Sequence, residues 1–216
     1  MSVSAVRSLV TILPPMLVAG GLALPSAIDA APQDPQRPAV KQDPQAAMQA
    51  CAIAGTPGAM HEYLARFSGR WQGAMQMWMA PPSAGVEPVE GTCTWTVQPV
   101  MGGRYLRGEL KAHCEPIGSF DGLGFVGFDN AAGRFVGSWI DSHSTAIMHG
   151  EGERSADGRT LSWEYSYTCP VTRKPAILRE VQTLTGEDAM TFDMYTRDPI
   201  GGDEFRCVHV DYRRAE

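Results

Sequence analysis

From residue 70 onward the apolar residues of this chain recur at every second position. "VEGTCTWTV" sets Val89, Gly91, Cys93, Trp95 and Val97 on one face, with Glu90, Thr92, Thr94 and Thr96 on the other. "TLSWEYSYTC" does the same with Leu161, Trp163, Tyr165, Tyr167 and Cys169, and "AMTFDMY" with Met190, Phe192 and Met194. A period of two with a single apolar face predicts strands buried on one side, as in antiparallel sheets. Turn signals separate the runs: Gly102-Gly103, Asp129-Asn130 with Gly133, Asp157-Gly158, Gly186-Glu187-Asp188 and Gly201-Gly202. About ten strands result, over 70–79, 88–98, 104–114, 121–128, 134–141, 145–153, 159–169, 175–185, 189–198 and 204–213. So many short strands in succession leave edges to be covered. Closure into an antiparallel β-barrel does so most simply, and a sandwich is the alternative.

Ahead of the strands the period is helical. An Ala-rich stretch over 45–54 predicts a short helix. Thr56-Pro57 then reads as the N-cap and first position of a second helix, with Met60, Tyr63, Leu64 and Phe67 on one side and Gly69 ending it. Residues 32–45, "PQDPQRPAVKQDPQ", have no apolar periodicity and read as a linker. Residues 1–31 read as a cleavable export signal: Arg7, the apolar stretch Leu9 to Leu24, then small residues with Ala23, Ala27 and Ala30 as cleavage candidates. Pro14, Pro15, Gly20 and Gly21 interrupt that stretch, which argues against a membrane anchor. The division expected is therefore signal 1–31, linker and short helix 32–55, and β domain 56–216. The mature protein should be periplasmic or secreted, with no stable membrane insertion after cleavage.

Composition narrows the function classes. The 216 residues carry a net charge of −6 and no Lys/Arg run, which argues against nucleic acid as partner. The histidines His61, His113, His143, His149 and His209 show no metal-binding spacing, and no two cysteines are spaced Cys-x-x-Cys. "GLGFVG" lacks the following helix and the Lys of a phosphate loop. No metal and no cofactor is expected. In an exported protein some of Cys51, Cys93, Cys114, Cys169 and Cys207 should pair, the odd number leaving at least one free. Cys93 and Cys114 lie on the apolar faces of consecutive strands. A turn centred on Gly103-Arg104 would set them opposite each other, with Trp95 opposite Ala112, so a Cys93–Cys114 disulfide is expected.

A short helix running into "SGRWQG" resembles the start of a calycin barrel, the group of lipocalins and fatty-acid-binding proteins. There a Gly-x-Trp motif opens the first strand, the Trp plugs one end, and a basic residue of the last strand packs on it. That resemblance implies structural roles for Gly69, Trp71 and either Arg213 or Arg214. Over residues 59–214 the chain also resembles the uncharacterised bacterial family known as domain of unknown function 1579. The matching stretches are "FSGRWQGAMQMWM", "MGGRYLRGEL", "FDGLGFVGFDNAAGRFVGSWIDSHST" and "GEGERSADGRTLSW". This second resemblance implies a fold and domain limits but names no reaction. The nitrobindins, a related barrel family, ligate haem through a late histidine. Val208, Val210 and Tyr212 place His209 on the polar face instead, against that role.

Candidate chemistry centres on "WIDSHST". Alternation sets Trp139 and Asp141 on one face, where a carboxylate beside aromatics could orient a ligand, with Ser142 next to it. Asp141 and Ser142 equally suit the turn after the strand. Arg104 follows the Gly102-Gly103 turn and could point into a barrel mouth or into water. Met75, Trp95, Trp163 and Tyr165 add an adaptable apolar lining. The expected function is non-catalytic binding of a small hydrophobic or amphipathic ligand. Its rivals are an enzyme using Asp141 as general base in the barrel mouth, and an envelope protein acting through partner contacts.

Overall fold

The computed structural model describes residues 43–115, 117–199 and 201–215. The expected signal segment and most of the linker lie outside the described residues. Helix α1 (Pro44–Ala54) begins where the Asp43 side chain accepts a hydrogen bond from the Gln45 amide, with proline at the first turn. Helix α2 (Ala59–Ala65) starts later than expected, with Gly58 at its N-cap, where the Gly58 amide donates to His61 Nδ1 at 3.0 Å. Thr56 does not cap it. Its hydroxyl donates instead to the Ala52 carbonyl at 2.7 Å, closing the end of α1.

Ten strands follow: β1 (Gly69–Met77), β2 (Val89–Val100), β3 (Tyr105–Cys114), β4 (Gly118–Asp129), β5 (Arg134–Asp141), β6 (Met148–Arg154), β7 (Thr160–Thr168), β8 (Pro175–Leu184), β9 (Ala189–Arg197) and β10 (Glu204–Arg214). Each pairs antiparallel with its neighbour in sequence, and β1 pairs with β10, which closes the barrel. Closure leaves no open sheet edge for the strands to expose. The expected mainly β, ten-stranded antiparallel barrel is the fold observed.

The two ends of the barrel differ. At one end α2 and the following turn lie across the opening and bury Tyr63, Leu64 and Phe67. The Tyr63 hydroxyl donates to the Thr160 carbonyl at 3.4 Å, and Arg66 Nη1 donates to the Gly158 carbonyl at 3.0 Å, so the plug is tied to the β6–β7 turn. Beneath it Trp71 is fully buried, its indole donating to the Phe67 carbonyl at 3.0 Å. The Arg214 guanidinium lies 4.2 Å from the centre of the Trp71 ring and also donates to the Ser68 carbonyl. Of the two basic residues expected at this position, Arg214 is the one on the tryptophan. Gly69 makes the contact possible: its φ is +127°, and a Cβ there would collide with the Arg214 guanidinium. The Asp129-Asn130 turn is also as expected: Asp129 Oδ1 accepts from the Ala131 and Ala132 amides, and Gly133 follows with φ +68°.

The β2–β3 hairpin corrects the expected disulfide. Cys93 faces Ala112 and Cys114 faces Gly91, two residues away from the register that would pair the cysteines. The turn holds Met101, Gly102, Gly103 and Arg104 between the paired Val100 and Tyr105, so it centres on Gly102-Gly103. Positive φ at Met101, Gly102 and Gly103 sets that geometry. Cys93 and Cys114 are both buried free thiols inside the barrel. Diagonal neighbours across a sheet stand ~7–8 Å apart, beyond the reach of a disulfide.

Candidate functional site

The inward-facing residues of the strands do not fill the barrel. They enclose a cavity of about 940 Å³ that reaches from Leu64 and Phe67 at the plugged end to the loop 142–147 at the other. Its walls are mostly apolar, with Met75 and Met77 of β1, Trp95 of β2, Trp163 of β7 and Phe192 of β9 among them. The lumen stays open because several large rings lie flat against the wall. Trp163 and Tyr165 of β7 rest over Gly152 and Gly150 of β6, where an added Cβ would stand 2.7 Å from either ring. Trp139 of β5 rests likewise over Gly122 and Gly124 of β4. A side chain larger than hydrogen at these glycines would push the rings inward.

Seven of the eight residues expected to meet a ligand line this cavity: Met75, Trp95, Trp139, Asp141, Ser142, Trp163 and Tyr165. Arg104 does not. It stands at the plugged end, where its Nε donates to the Gly55 carbonyl at 2.8 Å and its Nη1 to the Met101 carbonyl at 3.1 Å. The Gly-rich turn thus fastens the end of α1 to the barrel and offers nothing to the open mouth. Asn130 does similar work from the β4–β5 turn, donating to the carbonyls of Ala54 and Thr56.

At the mouth, Asp141 is already engaged through both oxygens. Oδ2 accepts from the Trp139 indole at 3.1 Å and Oδ1 from the His143 amide at 2.9 Å. The carboxylate both turns the chain after β5 and fixes the ring on the wall, so the turn role and the cavity role meet in one residue. Ser142 extends the β4–β5 ladder, its amide donating to the Asp121 carbonyl and its hydroxyl accepting from the Asp121 amide. Its oxygen is occupied in holding the strand ends together. His143 packs edge-on against Phe120 at 5.1 Å beside the opening. His209 lies outside the barrel, its Nδ1 2.8 Å from Asp193 Oδ1, as the alternation of β10 implies.

Sequence reasoning missed Glu180. It sits on β8 between Trp163 of β7 and Met194 of β9, and lines the cavity with Leu178 and Gln182 of the same strand. Among the described residues no hydrogen bond or ion pair reaches its carboxyl. Burial among apolar walls pushes its pKa from 4.5 up to about 8, which leaves it mostly protonated at neutral pH. Its field also acts on the groups around it. Burial first, and then the Glu180 charge, raise the Tyr165 phenol. For the Tyr212 phenol burial again leads, with smaller upward effects from the Cys93 thiol and from Glu180. Cys93 Sγ lies 3.4 Å from the Tyr212 hydroxyl, a second polar contact on the wall. The available signal was parity: on β8 the inward series runs Leu178, Glu180, Gln182, Leu184, with two polar residues where the neighbouring strands carry apolar ones.

The family of uncharacterised proteins described as Protein of unknown function (DUF1579) matches residues 56–214, the whole barrel with its α2 plug. The chain belongs to this family. No curated protein matches. Among solved structures, the S-type phycobiliprotein lyase CPES from Guillardia theta superposes with a TM-score of 0.53 at 13% identity, covering 74% of this chain and 94% of that one. A second similar structure, EF1p2_mFAP2b bound to DFHBI, has a TM-score of 0.40 at 12% identity, with 73% of this chain and all of that one covered. At such identity the lyase shares the fold and no more.

Proposed function

We propose that this member of the DUF1579 family is exported and holds one small hydrophobic or amphipathic molecule in its barrel, without transforming it. The cavity carries the reading. About 940 Å³, mostly apolar, closed at one end and open at the other, suits a guest of drug or lipid size. A protein with no such guest would gain stability by filling the space, since interiors normally pack without voids. The glycines beneath Trp163, Tyr165 and Trp139 work the other way and keep the lumen clear.

The neutral fluorophore Nile red tests the pocket. The protein should take it up at about one per chain, with a blue shift of emission. Ala112, on the cavity wall, should be replaceable by Trp, and Ala112→Trp should abolish uptake while far-UV circular dichroism keeps the β signature. Native mass spectrometry of protein purified from its own host should show a bound small molecule. A folded protein that neither carries a guest nor takes up Nile red would overturn the reading. For export, intact mass of the mature protein should show loss of the residues up to Ala23, Ala27 or Ala30. Recovery of soluble cytoplasmic protein that keeps Met1 would refute it. No described helix is long and apolar enough to cross a membrane.

A further inference from the structure

The cavity wall is chemically lopsided. Among the described residues that line it there is no lysine and no arginine, while two carboxyl groups, Asp141 and Glu180, face it. Asp141 stands at the rim and is satisfied by Trp139 and His143. Glu180 stands deeper, between Trp163 and Met194, with no hydrogen bond or ion pair among the described residues. A fatty acid or other anionic amphiphile would bring a second negative group into an apolar space that offers no cation. A half-buried carboxyl on an apolar wall is costly to keep ionised without a partner, and a cation placed beside it offsets part of that cost.

We propose that the guest is a hydrophobic amine: an apolar body that lies along the Met and aromatic wall, with one basic nitrogen that pairs with Glu180. This rests on the small-ligand reading above and specifies its chemistry. A guest that enters as the free base takes the proton of the Glu180 carboxyl onto its nitrogen. A guest that enters as the ammonium ion displaces that proton to solvent. Both routes end in the same ammonium–carboxylate pair. Other titratable groups on the wall do not compete for this role. The Tyr165 and Tyr212 phenols and the Cys93 thiol are held neutral by burial, Asp141 and His143 stand at the rim, and His113, Cys114 and Tyr167 lie at the open ends of β3 and β7, away from Glu180.

Three probes of equal chain length separate the possibilities: decylamine, decanoic acid and 1-decanol, each used to displace Nile red at pH 7. Decylamine should bind at least about tenfold tighter than either of the others. Glu180→Gln should abolish the preference, so that decylamine binds no tighter than decanol in the same variant. Calorimetry in two buffers of different ionisation enthalpy should show about one proton released per decylamine bound at pH 7, and no release in Glu180→Gln. Equal or tighter binding of the acid or the alcohol overturns the amine assignment and leaves the small-ligand reading standing. An amine preference that survives Glu180→Gln also overturns it. Failure of all three probes, with Nile red excluded as well, removes both.

Discussion

Replacing Glu180 by Gln should stabilise the empty protein, by an amount that depends on pH. The native carboxyl titrates at about 8 against an ordinary value of 4.5. Between those limits the folded protein binds a proton that the unfolded chain does not, so its stability falls as pH rises. Each pH unit in that window removes about 1.4 kcal/mol, which gives an upper bound of about 3 kcal/mol at pH 7. The carboxyl faces an open cavity that admits water, so the realised penalty is smaller; about 1–3 kcal/mol is the expected range. Below pH 4.5 both states are protonated and the penalty vanishes; above 8 it is complete. Gln has nearly the same shape and no titration in this range. Urea unfolding of ligand-free wild type and Glu180→Gln at pH 5 and pH 8.5 reads the difference, with unchanged m values confirming that only stability has moved. The two proteins should lie close at pH 5, and the variant should gain with rising pH. A stability difference that is the same at both pH values would show that Glu180 is solvated or partnered in solution.

The plugged end makes a separate prediction. Gly69→Ala places a side chain at φ +127° and against the Arg214 guanidinium, and should destabilise by about 2–4 kcal/mol in the same unfolding assay. A urea midpoint unchanged by this substitution would refute the role of Gly69. The hairpin register predicts that Cys93 and Cys114 are both fully alkylated under denaturing, non-reducing conditions. A disulfide-linked peptide joining residues 93 and 114 would show that the strands had slipped by two in solution.

The strands were readable because a barrel buries one face of each, and period-two alternation reports that burial directly. All ten appear, with ends within three residues of expectation. The larger errors have local causes. β4 starts at Gly118, ahead of the expected 121, because Gly118, Ser119 and Phe120 pair with Cys114, His113 and Ala112 of β3. β6 starts at Met148, after the expected 145, because Thr145 and Ile147 belong to the mouth loop despite their β-branched side chains. Thr56 was misassigned because a threonine hydroxyl caps either end of a helix, accepting at one and donating at the other. The disulfide failed for a more general reason. Alternation fixes which face a residue occupies and is blind to a slip of two, which preserves every face. Cys93 and Cys114 therefore sit inside as expected, yet the turn length sets them one pair apart.

The candidate site divides along the same line. Its aromatic and Met wall was visible as apolar positions, but apolar positions alone do not distinguish a wall from a filled core. The distinction lies in the residues opposite the rings. Where Trp163 and Tyr165 face Gly152 and Gly150, and Trp139 faces Gly124, each ring is received by the neighbouring strand instead of projecting into the centre. A filled core would set large residues against large ones there. The repeated Gly-x-Gly on β4 and β6, at inward parity, is thus the sequence mark of a hollow barrel. Glu180 needs that hollow. A carboxyl at the same parity in a packed core would face only apolar atoms and would stay protonated, with its hydrogen bonds unmade. On the wall of a lumen it has room beside it for the ammonium group of the proposed guest.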